Sequence, residues 1–205
     1  MTQATSTATA GSPTRDRLLD AAAELFYREG VGVGVEALCR VAGVSKRSMY
    51  QLFDSKDSVL AASLERSAPA YLAFLLPPDD DDRAPRDRIL HVFERLEEMA
   101  ARPDYRGCPF VAVTAELKAP DHPASLVARR CKDELTAFFR REAEHGGAGD
   151  PELLARQLTV TFDGSGVRAV MQGQGLDGLA LATATALLTG AGMDDTAPRT
   201  PETSG

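Results

Sequence analysis

Apolar positions along this chain recur at helical spacing. Within TRDRLLDAAAELFYRE, Leu18, Ala22, Leu25 and Phe26 fall at i, i+4, i+7 and i+8 and predict a helix over residues 14–29. Thr14 is its expected N-cap, Asp16 lies near its positive end, and Gly30 stops it. After the loop Val31-Gly32-Val33-Gly34, a second helix is expected over 35–42, with Val35, Leu38 and Cys39 inward. Gly43 supplies a turn and Ser45 caps a short third helix over 46–53.

The same reading continues to the far end. A fourth helix starts near Lys56, capped by Asp54 or Ser55, and Pro69 kinks or ends it. PPDDDDRAP, residues 77–85, reads as an exposed connection; a calcium loop would need a turn glycine and ordered ligand spacing. Further helices are expected over 86–102, 110–117, 124–145, 151–172 and 176–188. The pattern shows no strand alternation, no hairpin signal and no internal repeat, so the expected class is all-α.

The third helix has the most informative polar face. At about 100° per residue, Met49, Leu52 and Phe53 share one side. Arg47, Ser48, Tyr50 and Gln51 fall opposite, with Lys46 at the edge. Cations, hydroxyls and an amide are the groups that read phosphates and base edges in a DNA major groove. An ordinary solvated helix face is the competing explanation. The shortness of this helix and the Gly43 turn before it favour a helix-turn-helix over residues 34–53.

Composition changes that picture in two ways. The formal net charge of −7 argues against a general nucleic-acid coat. Residues 40–56, however, carry four cations (Arg40, Lys46, Arg47, Lys56) against Asp54 alone, which fits a locally basic reader on an acidic body. Lys56 sits in the first turn of its helix, where a cation opposes the dipole, so a phosphate docked there would account for it. No run of about 18 apolar residues exists and the N-terminus lacks a signal-peptide core, so no membrane partner and a cytoplasmic location are expected. Cys39, Cys108 and Cys131, with His91, His122 and His145, have no metal-ligand or disulfide spacing; no cofactor is expected, although a metal or redox role is the alternative to buried thiols.

The stretch VEALCRVAGVSKRSMYQLFDSKDSVLAASLE resembles the DNA-binding domain of the tetracycline-repressor (TetR) family. The likeness covers about residues 14–66 and rests on Ala42-Gly43-Val44-Ser45, Tyr50, Phe53 and Ser55-Lys56-Asp57 in that order. It implies a three-helix head, a linking fourth helix, a larger helical ligand-binding domain and a homodimer. It also implies a bacterial regulator, usually a repressor, released from its operator by a small molecule. Ser45–Gln51 would enter the major groove, Tyr50 and Lys56 would hold phosphates, and Arg47, Ser48 and Gln51 would meet bases. Gly34 stands where the family often has a capping Thr, and Cys39 where Ala is usual. Gly107-Cys108-Pro109-Phe110, Ala115-Glu116-Leu117 and Asp121-His122-Pro123 are similar to one sub-group of its C-terminal domains.

On this reading the chain divides into a tail (1–12), a head (13–67), a body (68–190) and a second tail (191–205), both tails expected to be disordered. Phe93, Phe110, Val113, Phe138, Phe139 and Phe162 are candidates, as a set, to line an effector pocket; taken singly, each is better explained as core. Thr114, Glu116 and Gln157 are polar positions that would orient a ligand or face water. Gly164-Ser165-Gly166 and the Ala-rich last helix fit close packing across a two-fold axis, against a loosened helix as the alternative. A palindromic operator follows, because one short helix reads few base pairs and two half-sites multiply specificity. No G-x-S-x-G, H-E-x-x-H or P-loop is present, so an enzyme is not expected. An effector-independent regulator, an activator and a protein-binding adaptor on the same fold are the remaining rivals; the adaptor predicts loss of the Lys46 and Arg47 chemistry, which is intact.

Overall fold

The structure is a computed structural model that describes residues 12–194. Among the described residues all regular structure is helical: α1 (Pro13–Glu29), α2 (Val35–Ala42), α3 (Lys46–Leu52), α4 (Lys56–Leu75), α5 (Pro85–Ala100), α6 (Pro109–Leu117), α7 (Pro123–His145), α8 (Pro151–Gln172) and α9 (Leu179–Gly190). Residues 1–11 and 195–205, and with them most of both expected tails, lie outside the described residues.

Helix ends follow local chemistry. α1 begins one residue before the expected cap: Pro13 occupies N1, where its missing N–H matters least, so Thr14 lies inside the helix. Gly43 ends α2 in the left-handed region (φ 63°), the conformation a side chain disfavours. Ser55 opens α4: its hydroxyl accepts the Ser58 N–H at 3.1 Å while its own N–H donates to Ser58 Oγ at 3.1 Å. Pro69 is carried inside α4, which continues to Leu75 rather than stopping. Asp150 caps α8 through the Leu153 N–H at 3.0 Å.

The chain forms two compact units. Of the described residues, one comprises those up to Pro69 together with Pro109–Arg129; the other comprises Ala70–Cys108 and those from Arg130 onward. A linear division near residue 67 misses the grouping of α6 and the start of α7 with the first three helices.

In the first unit α1, α2 and α3 pack on one another. Leu18, Leu19, Ala22, Leu38 and Met49 are fully enclosed. Each burial of a Leu or Met side chain contributes about 1.5–3 kcal/mol, enough for helices as short as α2 and α3 to persist.

In the second unit α5, α8 and α9 pack together. Phe93 stacks on Phe139 at 5.8 Å and meets the Phe162 edge at 6.1 Å, while Phe138 lies 5.8 Å from Phe139. Lys132 and Asp163 form an ion pair, and the Lys132 ammonium lies 4.7 Å above the Phe162 ring. Arg88 meets the buried Glu142 carboxylate at 3.1 Å. The second expected tail does not begin at 191: Met193 is buried, its N–H donates to the Leu188 carbonyl, and its own carbonyl accepts from Arg86.

Candidate nucleic-acid interface

The interface is built on α3. Its Ser45 cap accepts the Ser48 N–H at 3.0 Å and exchanges a 2.8 Å hydrogen bond with the Ser48 hydroxyl. That cap satisfies one of the free amides at the start of a helix only seven residues long. Met49 is fully buried and fixes the rotation of α3. Rotation then follows from helical geometry: Ser45, Lys46, Arg47, Tyr50 and Gln51 are exposed, Ser48 is half-buried, and Tyr50 keeps 54% of its surface.

These outward residues differ in what they already hold. Among the described residues, Arg47, Tyr50 and Gln51 have no side-chain hydrogen bond or ion pair within the chain. Lys46 instead donates to Glu36 Oε1 at 2.5 Å, which lowers the Glu36 carboxyl below its ordinary range and raises the Lys46 ammonium, the hydrogen bond being the larger cause in each. Both groups stay solvent-accessible, so water and salt weaken the pair and a phosphate can compete for the ammonium.

Lys56 opens α4 half-buried, and its ammonium donates to the Val31 carbonyl at 2.7 Å. That bond gives this cation an intramolecular reason to sit at a helix N-terminus. Two of its three N–H groups remain for another acceptor. Sequence reasoning missed both the Glu36 partner and the Val31 anchor, because nothing in local spacing marks a contact 10 or 25 residues away.

The six apolar residues offered as pocket lining are enclosed by protein and fall in different units. Phe93, Phe138, Phe139 and Phe162 form the packed aromatic core of the second unit. Phe110 and Val113 are buried on α6 in the first. Two clefts of the second unit involve none of them. One, about 380 Å³, is bordered by Arg102, Tyr105, Arg106, Val170 and Gln174. The other, about 390 Å³, is bordered by Asp150, Leu153, Gln157 and Leu187. Both volumes lie at the lower end of the small-molecule range.

The cysteines are free and buried. Burial raises the Cys39 and Cys131 thiols, Cys131 to about 12, and Cys108 accepts a hydrogen bond from the Tyr71 hydroxyl at 3.3 Å. No group of three or more His, Cys, Asp or Glu able to hold a metal occurs among the described residues. No helix there is long and apolar enough to cross a membrane.

A short capped helix presenting Arg47, Tyr50 and Gln51, set on a three-helix core by a glycine turn, defines a helix-turn-helix DNA-binding protein. The sequence model of the family described as "Bacterial regulatory proteins, tetR family" matches residues 18–63. A Streptomyces avermitilis protein classed as a tetR-transcriptional regulator is 59% identical, with a TM-score of 0.86 over 90% of this chain and 100% of its own. The chain belongs to the TetR family of DNA-binding transcriptional regulators.

The structure of reduced Escherichia coli NemR is also similar, at 26% identity and a TM-score of 0.76, over 85% of this chain and 96% of that one. By sequence, the Escherichia coli transcriptional repressor NemR is 34% identical over 109 residues, 51% of this chain. That match spans about half, 54%, of this curated relative's own length.

Proposed function

We propose that this protein is a homodimeric, cytoplasmic repressor that binds a palindromic operator and is released by a small-molecule effector. The observation that carries the DNA half is the unpaired outward set Arg47, Tyr50 and Gln51 on α3. In the proposed complex Ser45–Gln51 lie in the major groove. Arg47, Ser48 and Gln51 meet base edges, while Lys46, Tyr50 and the remaining donors of Lys56 hold phosphates.

Dimerisation is supported by the outer face of α8. Leu153, Val160, Val167 and Met171 follow one another at seven- and four-residue steps and all remain exposed, Val160 by 72% and Met171 by 82%. A stripe of this spacing on a solvent-facing helix matches a helix–helix seam. On α9, Leu179, Ala182, Thr183 and Ala186 are outward, and the Thr183 hydroxyl donates to the Leu179 carbonyl. Gly164 contributes open space on the α8 face, whereas Gly166 is occupied from within the chain: a Cβ there would lie 2.9 Å from the Tyr105 hydroxyl.

The effector need only bind the DNA-incompetent state more tightly than the competent one; a near-complete switch requires about 5.5 kcal/mol of difference. The two clefts of the second unit are the places to seek it first. Space among the four packed phenylalanines would open only with loss of their mutual contacts. The test is selection of bound duplexes from a random pool. Enrichment of a palindrome supports the reading; no enriched sequence at low salt overturns it. Enrichment of a single non-repeated site overturns the two-fold arrangement alone.

A further inference from the structure

The turn between α1 and α2 is held from a distance. The Val31 N–H donates to Glu116 Oε2 at 2.8 Å, and the Val31 carbonyl accepts from Lys56 Nζ at 2.7 Å. The two peptides that flank Val31 are thus held, one by a carboxylate at the end of α6 and the next by an ammonium at the start of α4. Gly30 records the same approach independently. Its φ is 81°, and a Cβ built there would lie 2.6 Å from Glu116 Oε2 and 3.0 Å from Oε1.

The same corner of the chain makes a second contact. His122 caps α7 by accepting the Ala124 N–H on Nδ1 at 3.1 Å, while its Nε2 lies 3.4 Å from Asp57 Oδ2. Asp57 is the neighbour of Lys56. The α6–α7 corner therefore touches both places that fix the entry to α2: the turn at residues 30–31 and the first turn of α4. α2 itself has no side-chain cap, since Gly34 occupies that position. Its pose depends correspondingly more on the turn before it.

We infer that Glu116 is a positioning residue for DNA reading, holding the α1–α2 turn through Val31 in series with Lys56, so that the α6–α7 corner sets the pose of the helix-turn-helix. This rests on the DNA-reading role given above. A role as mere surface charge makes the opposite prediction. An anion on a DNA-binding head repels phosphates, so its removal in any form would tighten binding. Positioning depends on the acceptor oxygen and its reach instead.

The experiment uses the full chain as wild type, Glu116→Ala, Glu116→Gln and Glu116→Asp. Affinity is measured by fluorescence anisotropy for the duplex selected from the random pool and for a scrambled duplex of equal length. Hydrogen exchange is followed at the Val31 amide. Glu116→Ala should bind the selected duplex about five- to tenfold more weakly, with scrambled binding changed less than about twofold.

Glu116→Gln keeps an oxygen in place and should bind within about twofold of wild type or more tightly. Glu116→Asp keeps the charge but withdraws the oxygen by one methylene. It should weaken selected binding in the direction of Glu116→Ala, and it serves as the second variant should the alanine form not fold. Val31 exchange should accelerate at least about tenfold in Glu116→Ala and not in Glu116→Gln. Equal affinity of the Ala, Gln and wild-type forms, or tightening in both uncharged variants, overturns the inference. Val31 exchange as fast in wild type as in Glu116→Ala shows no latch and overturns it too. A wild type that selects no duplex overturns the DNA-reading role itself, a result the exchange data keep separate from failure of the latch.

Discussion

Phe93→Ala decides whether the aromatic set of the second unit is core or lining. The ring is fully enclosed, stacks on Phe139 at 5.8 Å and meets Phe162 edge-on at 6.1 Å. Truncating a buried Phe to Ala removes the transfer free energy of the ring and leaves a cavity, together about 3–5 kcal/mol. Two aromatic partners place Phe93 in the upper part of that range, since each such pair adds about 0.5–1.5 kcal/mol beyond area alone. For a chain of this length, about 4 kcal/mol corresponds to a fall in Tm of roughly 8–16 °C. Urea unfolding followed by circular dichroism, with the slope held common between variants, measures the loss directly. A loss under about 1.5 kcal/mol would refute the packing argument, because a ring facing a pre-formed pocket leaves little new cavity when it is removed.

Three further outcomes follow from named groups. Arg47→Ala should lose about 1–3 kcal/mol of binding on the selected duplex and much less on a scrambled one; equal loss on both would make Arg47 a phosphate contact. Val160→Glu combined with Met171→Glu should convert the dimer to monomer by light scattering at micromolar concentration, and an unchanged mass would exclude the exposed α8 face as the interface. Cys131, raised to about 12 by burial first and then by Cys108, should keep its proton well above pH 8. Because the folded pKa exceeds the unfolded one, this contribution to stability is intact below about pH 9 and is lost as pH rises toward 12. Comparing wild type with Cys131→Ala in alkaline urea titrations checks it, a shallower alkaline decline being expected for the variant.

The helices and the outward face of α3 were legible because their causes are local. A period of 3.6 places Leu18, Ala22, Leu25 and Phe26 on one side whatever surrounds them, and Ser45 can cap only the helix that follows it. The same period turns Arg47, Tyr50 and Gln51 outward once Met49 is buried. Gly43 was readable as a turn because glycine, lacking a Cβ, takes a left-handed φ at no steric cost.

Pairings between distant residues were decided by tertiary structure. Lys56 is placed by Val31, Lys46 is held by Glu36, and Glu116, which the pattern left as a polar position within an apolar run, meets a turn 85 residues earlier. Spacing marks none of these, because each contact depends on which helix faces come together. The same holds for the phenylalanines: the pattern marks Phe93, Phe138, Phe139 and Phe162 as inward. Only the tertiary structure brings their rings together, with centroids 5.8–6.1 Å apart.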